Sequence, residues 1–446
     1  MTRMMRHALV LLPIASVCST LCAQPGASCL DQRFRPDFEP RDLEFGSDVA
    51  ISDEHLLIVD RFSEALIYTY RRDGSGEWVL RHTVSGGSGA DVVLNGDRFI
   101  TGDLSVDPDG GALIYEFDGD RWNQVAELPI GPGLSTPWGE HIAFTDGHAA
   151  IGNAGEDVVI FRDTGEDEWE FVEEIMSPDS PDRRSDFGDA LAMDERFLFV
   201  GAPGEDIAGG QNGAIYVYEW GANGRPVLMQ KLVPEPDDVG PRLGTALALQ
   251  GDTLVAGARS LDTPEFDNLG CAFVYELVDG QWALQQRLLP DPPGRRIQGG
   301  WDVSLDGNVI AMGATSQFIE GASGIGTAHV FRKSAAGSWV HAAVIAPGVS
   351  AVSYAQSVNL GGGQLAVGAS DSFFAGFEHG LAEVYDLDCL LCPPDLDADG
   401  ALTIYDFLTY LNLFQDGDAQ ADFDGDGELT IFDFLAFQDA FQAGCE

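Results

Sequence analysis

Positive charge is what this chain has least of: 24 Lys and Arg stand against 72 Asp and Glu over 446 residues, a formal net charge of −48. A surface this acidic repels polyanions over most approaches, which argues against nucleic acid or an anionic membrane as partner and leaves cations and neutral ligands. The acidity by itself assigns no function, because charged surfaces also serve solubility. Local catalytic patterns are missing as well. There is no G-x-S-x-G elbow, no H-E-x-x-H pair and no phosphate-binding loop, so no catalytic residue is assigned. The eight histidines are scattered. His141 and His148, on or near the strands of one repeat, are expected as surface or core residues. Paired carboxylates are too common in such a chain to mark a site.

Long apolar runs are absent beyond the N-terminus, where Arg3 and Arg6 precede a stretch from Ala8 to Cys22, broken by Pro13 and followed by Ala23. A basic start, a short apolar centre and a small residue for cleavage predict a secretory signal peptide over 1–23. No later run approaches the roughly 18 to 20 residues needed to span a bilayer, so no transmembrane segment is expected. The expected location is extracellular, cell-surface or periplasmic. Cysteine is sparse too. Beyond the leader stand Cys29, Cys271, Cys389, Cys392 and Cys445, and an oxidising destination lets thiols pair. An odd number leaves one over; Cys271, inside the apolar run Cys271-Ala-Phe-Val-Tyr275, is expected as the buried free thiol.

What the chain does have is a repeat. Its clearest copy runs Phe187-Gly188-Asp-Ala-Leu-Ala-Met193, then Phe197-Leu-Phe-Val-Gly-Ala-Pro203, then Gly213-Ala-Ile-Tyr-Val-Tyr218. The first segment recurs at Phe45-Gly46, Ser88-Gly89, Trp138-Gly139, Leu243-Gly244, Gly299-Gly300 and Tyr354-Ala355, which makes seven copies. A fourth strand often starts at a tryptophan, as at Trp78, Trp122, Trp169, Trp282 and Trp339. Four short strands per unit of about 43 to 56 residues predict a mainly β fold, a seven-bladed β-propeller of four-stranded blades, spanning 24–388.

The seventh copy stops after its third strand, while Gln32-Arg-Phe-Arg-Pro-Asp37 precedes the first blade just as Gln286-Arg-Leu-Leu-Pro-Asp291 precedes the sixth. Residues 30–38 are therefore expected to complete the last blade, closing the ring without an open sheet edge. Closure of this kind places Cys29 beside Cys389 and predicts a disulfide between them. The units resemble FG-GAP repeats, the blades of the integrin alpha-chain propeller and of many bacterial surface proteins, over about residues 30–388. Phe187-Gly188 and Gly201-Ala202-Pro203 carry the resemblance most closely. Some blades of that family hold a calcium loop; Asp107-Pro-Asp109-Gly110 is the nearest approach and has too few ligands for a metal to be predicted.

After a Cys/Pro linker at 389–394, two segments of the module at 395–446 align without gaps: Asp395-Leu-Asp-Ala-Asp-Gly-Ala-Leu-Thr-Ile-Tyr-Asp406 and Asp422-Phe-Asp-Gly-Asp-Gly-Glu-Leu-Thr-Ile-Phe-Asp433. Extended to 24 residues, the copies agree at 13 positions. Calcium takes six to eight oxygens, which loop positions 1, 3, 5, 7, 9 and 12 bring together around a glycine at position 6. The first ion is assigned to Asp395, Asp397, Asp399, Ala401 (carbonyl), Thr403 (or its water) and Asp406. The second is assigned to Asp422, Asp424, Asp426, Glu428 (carbonyl), Thr430 and Asp433. From Asp395 onward there are 13 acids and no Lys or Arg, so the module is expected to fold only with calcium. Each loop leads into a helix, with Ile404, Phe407, Leu408, Leu411 and Phe414 expected on one apolar face and Phe434, Leu435 and Phe441 on the other. Aspartate at position 12, and Cys392-Pro393-Pro394 where an EF-hand has a helix, resemble dockerins, the modules that dock secreted proteins onto cohesin domains. That resemblance implies a cohesin-like or envelope protein as the tail's partner. Ile404-Tyr405 and Ile431-Phe432 depart from it, being apolar where dockerins are often polar. Cys392 and Cys445 flank the loops, and their pairing would clamp the module.

Three readings follow: a secreted, non-catalytic binding or adhesion protein whose propeller takes a protein or carbohydrate ligand, a polysaccharide-active enzyme, and a structural component of the cell envelope.

Overall fold

The computed structural model describes residues 29–443, outside the segments 36–43, 62–65, 86–90, 104–105, 107–109, 131–137, 154–156, 166–167, 180–183, 208–209, 320–324, 335–336, 371–379, 392–393, 397–401, 417–420 and 424–428 and the positions 237, 350, 395 and 422. The proposed leader, Ser88-Gly89, Asp107-Pro-Asp109, Cys392 and Cys445 lie outside the described residues.

Seven four-stranded antiparallel sheets make the body of the molecule. Their innermost strands are Phe45–Ile51, Val92–Asn95, Trp138–Phe144, Ala190–Met193, Leu247–Gln250, Gly299–Asp306 and Ser357–Gly361. In the first six blades the remaining strands follow outward in chain order. The second strands, such as His55–Asp60, Phe197–Ala202 and Gln364–Ala369, are buried along their whole length. Blades cover both of their faces, which is why they read as continuous apolar runs. The outer strand Trp78–Ser85 instead alternates between exposed and half-buried residues from Arg81 onward, as expected where one face meets water.

Each junction between neighbouring blades has its own apolar cluster among the described residues. The tryptophans that open outer strands fill these clusters: Trp78 lies in the junction of blades 7 and 1, Trp122 in that of 1 and 2, and Trp282 in that of 4 and 5. The repeated Gly-Ala of the second strand has a steric cause. A Cβ on Gly152, Gly201, Gly257, Gly313 or Gly368 would overlap the backbone carbonyl of Gly188, Gly244, Gly300, Ala355 or Gly46, respectively, in the next blade. The aromatic-Gly and Gly-Ala segments of the repeat are thus the two sides of one backbone contact.

Closure follows the expected route. Leu30–Phe34 is the outermost strand of blade 7, antiparallel to Leu381–Asp386, with Arg33 opposite Glu383. Gln32 donates through Nε2 to the Trp78 carbonyl at 2.9 Å and accepts from the Trp78 amide at 2.9 Å. Gln230 makes the same pair of bonds to Trp282, and Gln286 to Trp339, so the strand drawn from the N-terminus uses the joint found between other blades. Cys29 and Cys389 form a disulfide, Cα atoms 5.4 Å apart and 360 residues apart in sequence. Cys271 is free and buried. Beside the seam, Glu383 is fully buried. It pairs with Arg33 and accepts the Tyr354 and Tyr385 hydroxyls, each at 2.7 Å.

The C-terminal region is helical, with one departure at its start. Helix α1, Leu387–Leu391, occupies part of the segment expected as a linker. Leu387 and Leu390 pack into the junction of blades 6 and 7, because a strand end that must reach its disulfide partner cannot swing free. Helices α2, Ile404–Asp416, and α3, Ile431–Ala443, share a core of Tyr410, Leu413, Ala421 and Phe437. Tyr410 stacks on Phe437 with centroids 4.2 Å apart. The expected faces were turned by part of a turn. Phe407, Leu411, Phe414, Phe434 and Phe441 pack on this core, but Ile404, Leu408 and Leu435 are exposed. Both helices are apolar on more than one side, so periodicity alone could not rank the faces.

Candidate functional site

The turn into each innermost strand delivers polar side chains to the propeller axis. Residues just after the aromatic-Gly pair, among them Asp48, Asp91, His141, Asp189, Thr245, Asp302 and Gln356, line an axial cavity of about 380 Å³. Arg61 and Arg259, each one residue past a second strand, complete the wall, with Trp301 between blades 5 and 6. Among the described residues every blade contributes at least one polar group.

Several of these groups tie one blade to the next. Asp48 accepts from the Val49 amide at 2.8 Å and the Ser357 hydroxyl at 2.7 Å, and from the Val92 amide of blade 2 at 2.7 Å. Asp302 accepts from its neighbour Val303 and from Val358 of blade 7, both at 2.8 Å. Asn359 accepts from Ile51, and Ser304 from Leu360. Asp91 receives His141 Nδ1 at 3.3 Å and Arg61 Nη2 at 3.4 Å. Polar contacts therefore run around the axis from blade 6 through 7, 1 and 2 to blade 3. Enclosure by protein, with Asp91 nearby, pushes the Asp48 carboxyl up to about 6. Burial, with Asp48 and Asp91 adding like charge, pushes Asp302 up to about 8, since removing water disfavours the charged form.

Blades 4 and 5 differ. Where blades 1 and 6 carry Asp48 and Asp302, these carry Ala190 and Ala246, and the stitching is not continued there by those positions. Arg259 lies over the Trp301 ring, 4.7 Å from its centroid. Burial and the neighbouring Arg242 lower its pKa.

The tail places four of its assigned residues within the described part. Asp406 and Asp433 are fully buried at the starts of α2 and α3. Asp406 accepts from the Thr403 amide at 2.7 Å, and Thr403 Oγ1 accepts from the Tyr405 amide at 3.1 Å. Thr430 and Asp433 repeat the pattern, with amide bonds of 2.6 and 3.1 Å. Each pair is a reciprocal cap of the helix N-terminus. Asp433 also accepts from Phe423 at 2.9 Å, tying the loop back to the helix. Asp395, Asp397, Asp399, Ala401, Asp422, Asp424, Asp426 and Glu428 lie outside the described residues.

Two histidines expected as structural find different surroundings. His148 stacks on Trp220 with ring centroids 4.1 Å apart. His141 instead lines the axial cavity, so it belongs to the candidate site. The cavity as a whole escaped sequence reading, although its address was present: it is the pair of positions after each aromatic-Gly. The chain matches no known family model, and comparison with curated proteins finds no match.

Proposed function

We propose that this is a secreted, calcium-binding, non-catalytic binding or adhesion protein: the propeller holds a ligand and the C-terminal module docks or anchors the molecule. The observation that carries the reading is the pairing of a closed propeller, whose axis is a polar cavity, with a duplicated tail. In that tail a buried aspartate caps each helix directly after an acidic loop. A propeller is consistent with binding and assigns no ligand by itself. The Cys29–Cys389 disulfide is compatible with an extracellular location. Among the described residues no helix is long and apolar enough to cross a membrane.

The residues fit calcium by their chemistry. Buried carboxylates at the last position of each loop, with an all-oxygen donor set before them, suit a hard cation. Calcium, when bound, would supply the positive charge that lets these carboxylates lie close together. Asp395, Asp397, Asp399, Asp406, the Ala401 carbonyl and Thr403 would hold one ion. Asp422, Asp424, Asp426, Asp433, the Glu428 carbonyl and Thr430 would hold the other. Thr403 and Thr430 additionally orient the helices by capping them. FG-GAP repeats and dockerins remain the families these two parts resemble in pattern, with boundaries at 24–388 and 395–446 and a leader at 1–23. The apolar Ile404-Tyr405 and Ile431-Phe432 pairs are exposed, which suits a protein partner for the tail.

Calorimetric titration of the full chain with calcium should give one ion per loop. Asp406→Ala and Asp433→Ala should each abolish one site, and chelator should remove the helical circular dichroism of α2 and α3. Helices that persist in excess chelator would sink the calcium assignment. Glycan-array and secretome pull-down experiments then test the binding role; sugar release by the purified chain would replace it with an enzymatic one.

A further inference from the structure

We propose that the axial cavity takes a single carboxylated sugar residue, its carboxylate held by Arg259. The inference rests on the reading of the propeller as the ligand-binding part and names the ligand class. Acids outnumber bases three to one here, 72 to 24, and several half-buried arginines meet carboxylates, although Arg72, outside the cavity, lies over the Trp78 ring with its Nε unpartnered among the described residues. Arg61 pairs with Asp91, Arg98 with Glu116 at 3.0 Å, and Arg242 with Asp186 at 3.0 Å. Arg259 lines the cavity and has no ion pair or side-chain hydrogen bond among the described residues; its neighbour is the Trp301 ring. Asp189 and Asp186 act on this guanidinium only through space; a partly desolvated guanidinium with no carboxylate in contact is under-compensated, and a planar fork held on an indole is prepared for a bidentate carboxylate.

The rest of the wall sets the body of the ligand. Asp48 and Asp302 are already satisfied by backbone amides, so they are poor partners for the ammonium of an amino acid. Thr245, which donates to the Arg242 carbonyl at 2.7 Å, keeps acceptor capacity, and Gln356, which accepts from Ser370 at 2.6 Å, keeps its NH₂. Asp189 adds a further acceptor for hydroxyls. A cavity of about 380 Å³ suits one small molecule. The net charge of −48 opposes a dense polyanion. One carboxylate on a neutral, hydroxyl-rich body meets all of these conditions.

The test is calorimetry on the full chain in dilute buffer with glucuronate, glucose and glutamate. Glucuronate should bind and glucose should not. Arg259→Gln should weaken glucuronate by about 10- to 100-fold, the worth of a charge-assisted hydrogen-bonded contact. Arg259→Lys should keep part of the affinity, and Arg295→Gln, an exposed change away from the wall, should leave it intact. Equal binding of glucose and glucuronate by the unaltered chain overturns the proposal without recourse to any variant. So does preference for glutamate, or a folded Arg259→Gln protein that binds as before. Failure to bind glucuronate while the same chain retains neutral glycans overturns this inference and leaves the propeller's binding role standing.

Discussion

Asp302 and His329 show how single buried groups couple this molecule to pH, and in opposite directions. The Asp302 carboxyl, raised to about 8 by burial first and then by Asp48 and Asp91, stays protonated in the fold where the unfolded chain has released its proton. Its contribution is fully present below about pH 3.8 and is lost as pH rises through about 8. Asp302→Asn should therefore cost most at low pH, about 1 to 3 kcal/mol for an amide left facing a donor, and progressively less toward pH 9. Denaturant melts at pH 5 and pH 9 check this; an equal cost at both contradicts the raised pKa. His329 behaves in reverse. Buried in blade 6, it meets Gln317 Oε1 at 2.6 Å and His341 Nε2 at 2.9 Å. The Gln317 oxygen can only accept, so His329 donates from Nε2; burial keeps the ring neutral, which leaves Nδ1 as the acceptor toward His341 Nε2. Burial lowers its pKa from 6.5 to about 3. Its contribution is full above pH 6.5 and fades as pH falls toward 3.

At the scale of elements, the repeat is a packing contract between neighbours. The second-strand glycine of one blade and the aromatic-Gly turn of the next approach until no Cβ fits, as at Gly257 against the Gly300 carbonyl. Gly257→Ala should destabilise the propeller by about 1 to 3 kcal/mol, the usual range for overpacking a core. The same change at Gly119, where a Cβ meets open space, tests backbone strain alone, since its φ is +97°. Thermal melts of the two variants separate the effects; equal losses would mean that the interblade contact contributes little. The helices of the tail obey a different rule. Their caps, Thr403 with Asp406 and Thr430 with Asp433, come from the loop residues that serve as proposed ligands, so metal occupancy and helix initiation act on the same atoms.

For the molecule as a whole, closure is the decisive act. Blade 7 has three strands of its own and takes the fourth from residues 30–34, so the ring cannot form until both ends of the propeller meet. The disulfide spans 360 residues. Cys29→Ser paired with Cys389→Ser should cost roughly 2 to 5 kcal/mol, read as a lower denaturation midpoint with the propeller still assembling through Gln32, Arg33 and Phe34. Unchanged stability would show that these strand contacts suffice without the crosslink. The charge of −48 belongs to this scale too. It penalises compactness through self-repulsion, most strongly at low salt.

Blade number, strand order, the borrowed strand and the Cys29–Cys389 pair were legible because a repeat states the same structural sentence seven times. Once the fourth strand of the last copy is missing, only the N-terminus can supply it. The acidic loops are calcium candidates by local spacing alone, an expectation that each dozen consecutive residues carries by itself. The axial cavity was not legible. Asp48, Asp91, His141, Arg259 and Asp302 span more than 250 residues of chain, from 48 to 302, and converge only when the ring closes. Which acids are satisfied by amides, and which arginine lines the cavity without a carboxylate in contact, depends on neighbours that no local pattern contains. The buried face of each tail helix was hidden for a related reason: with apolar side chains on more than one side, the choice falls to the partner helix.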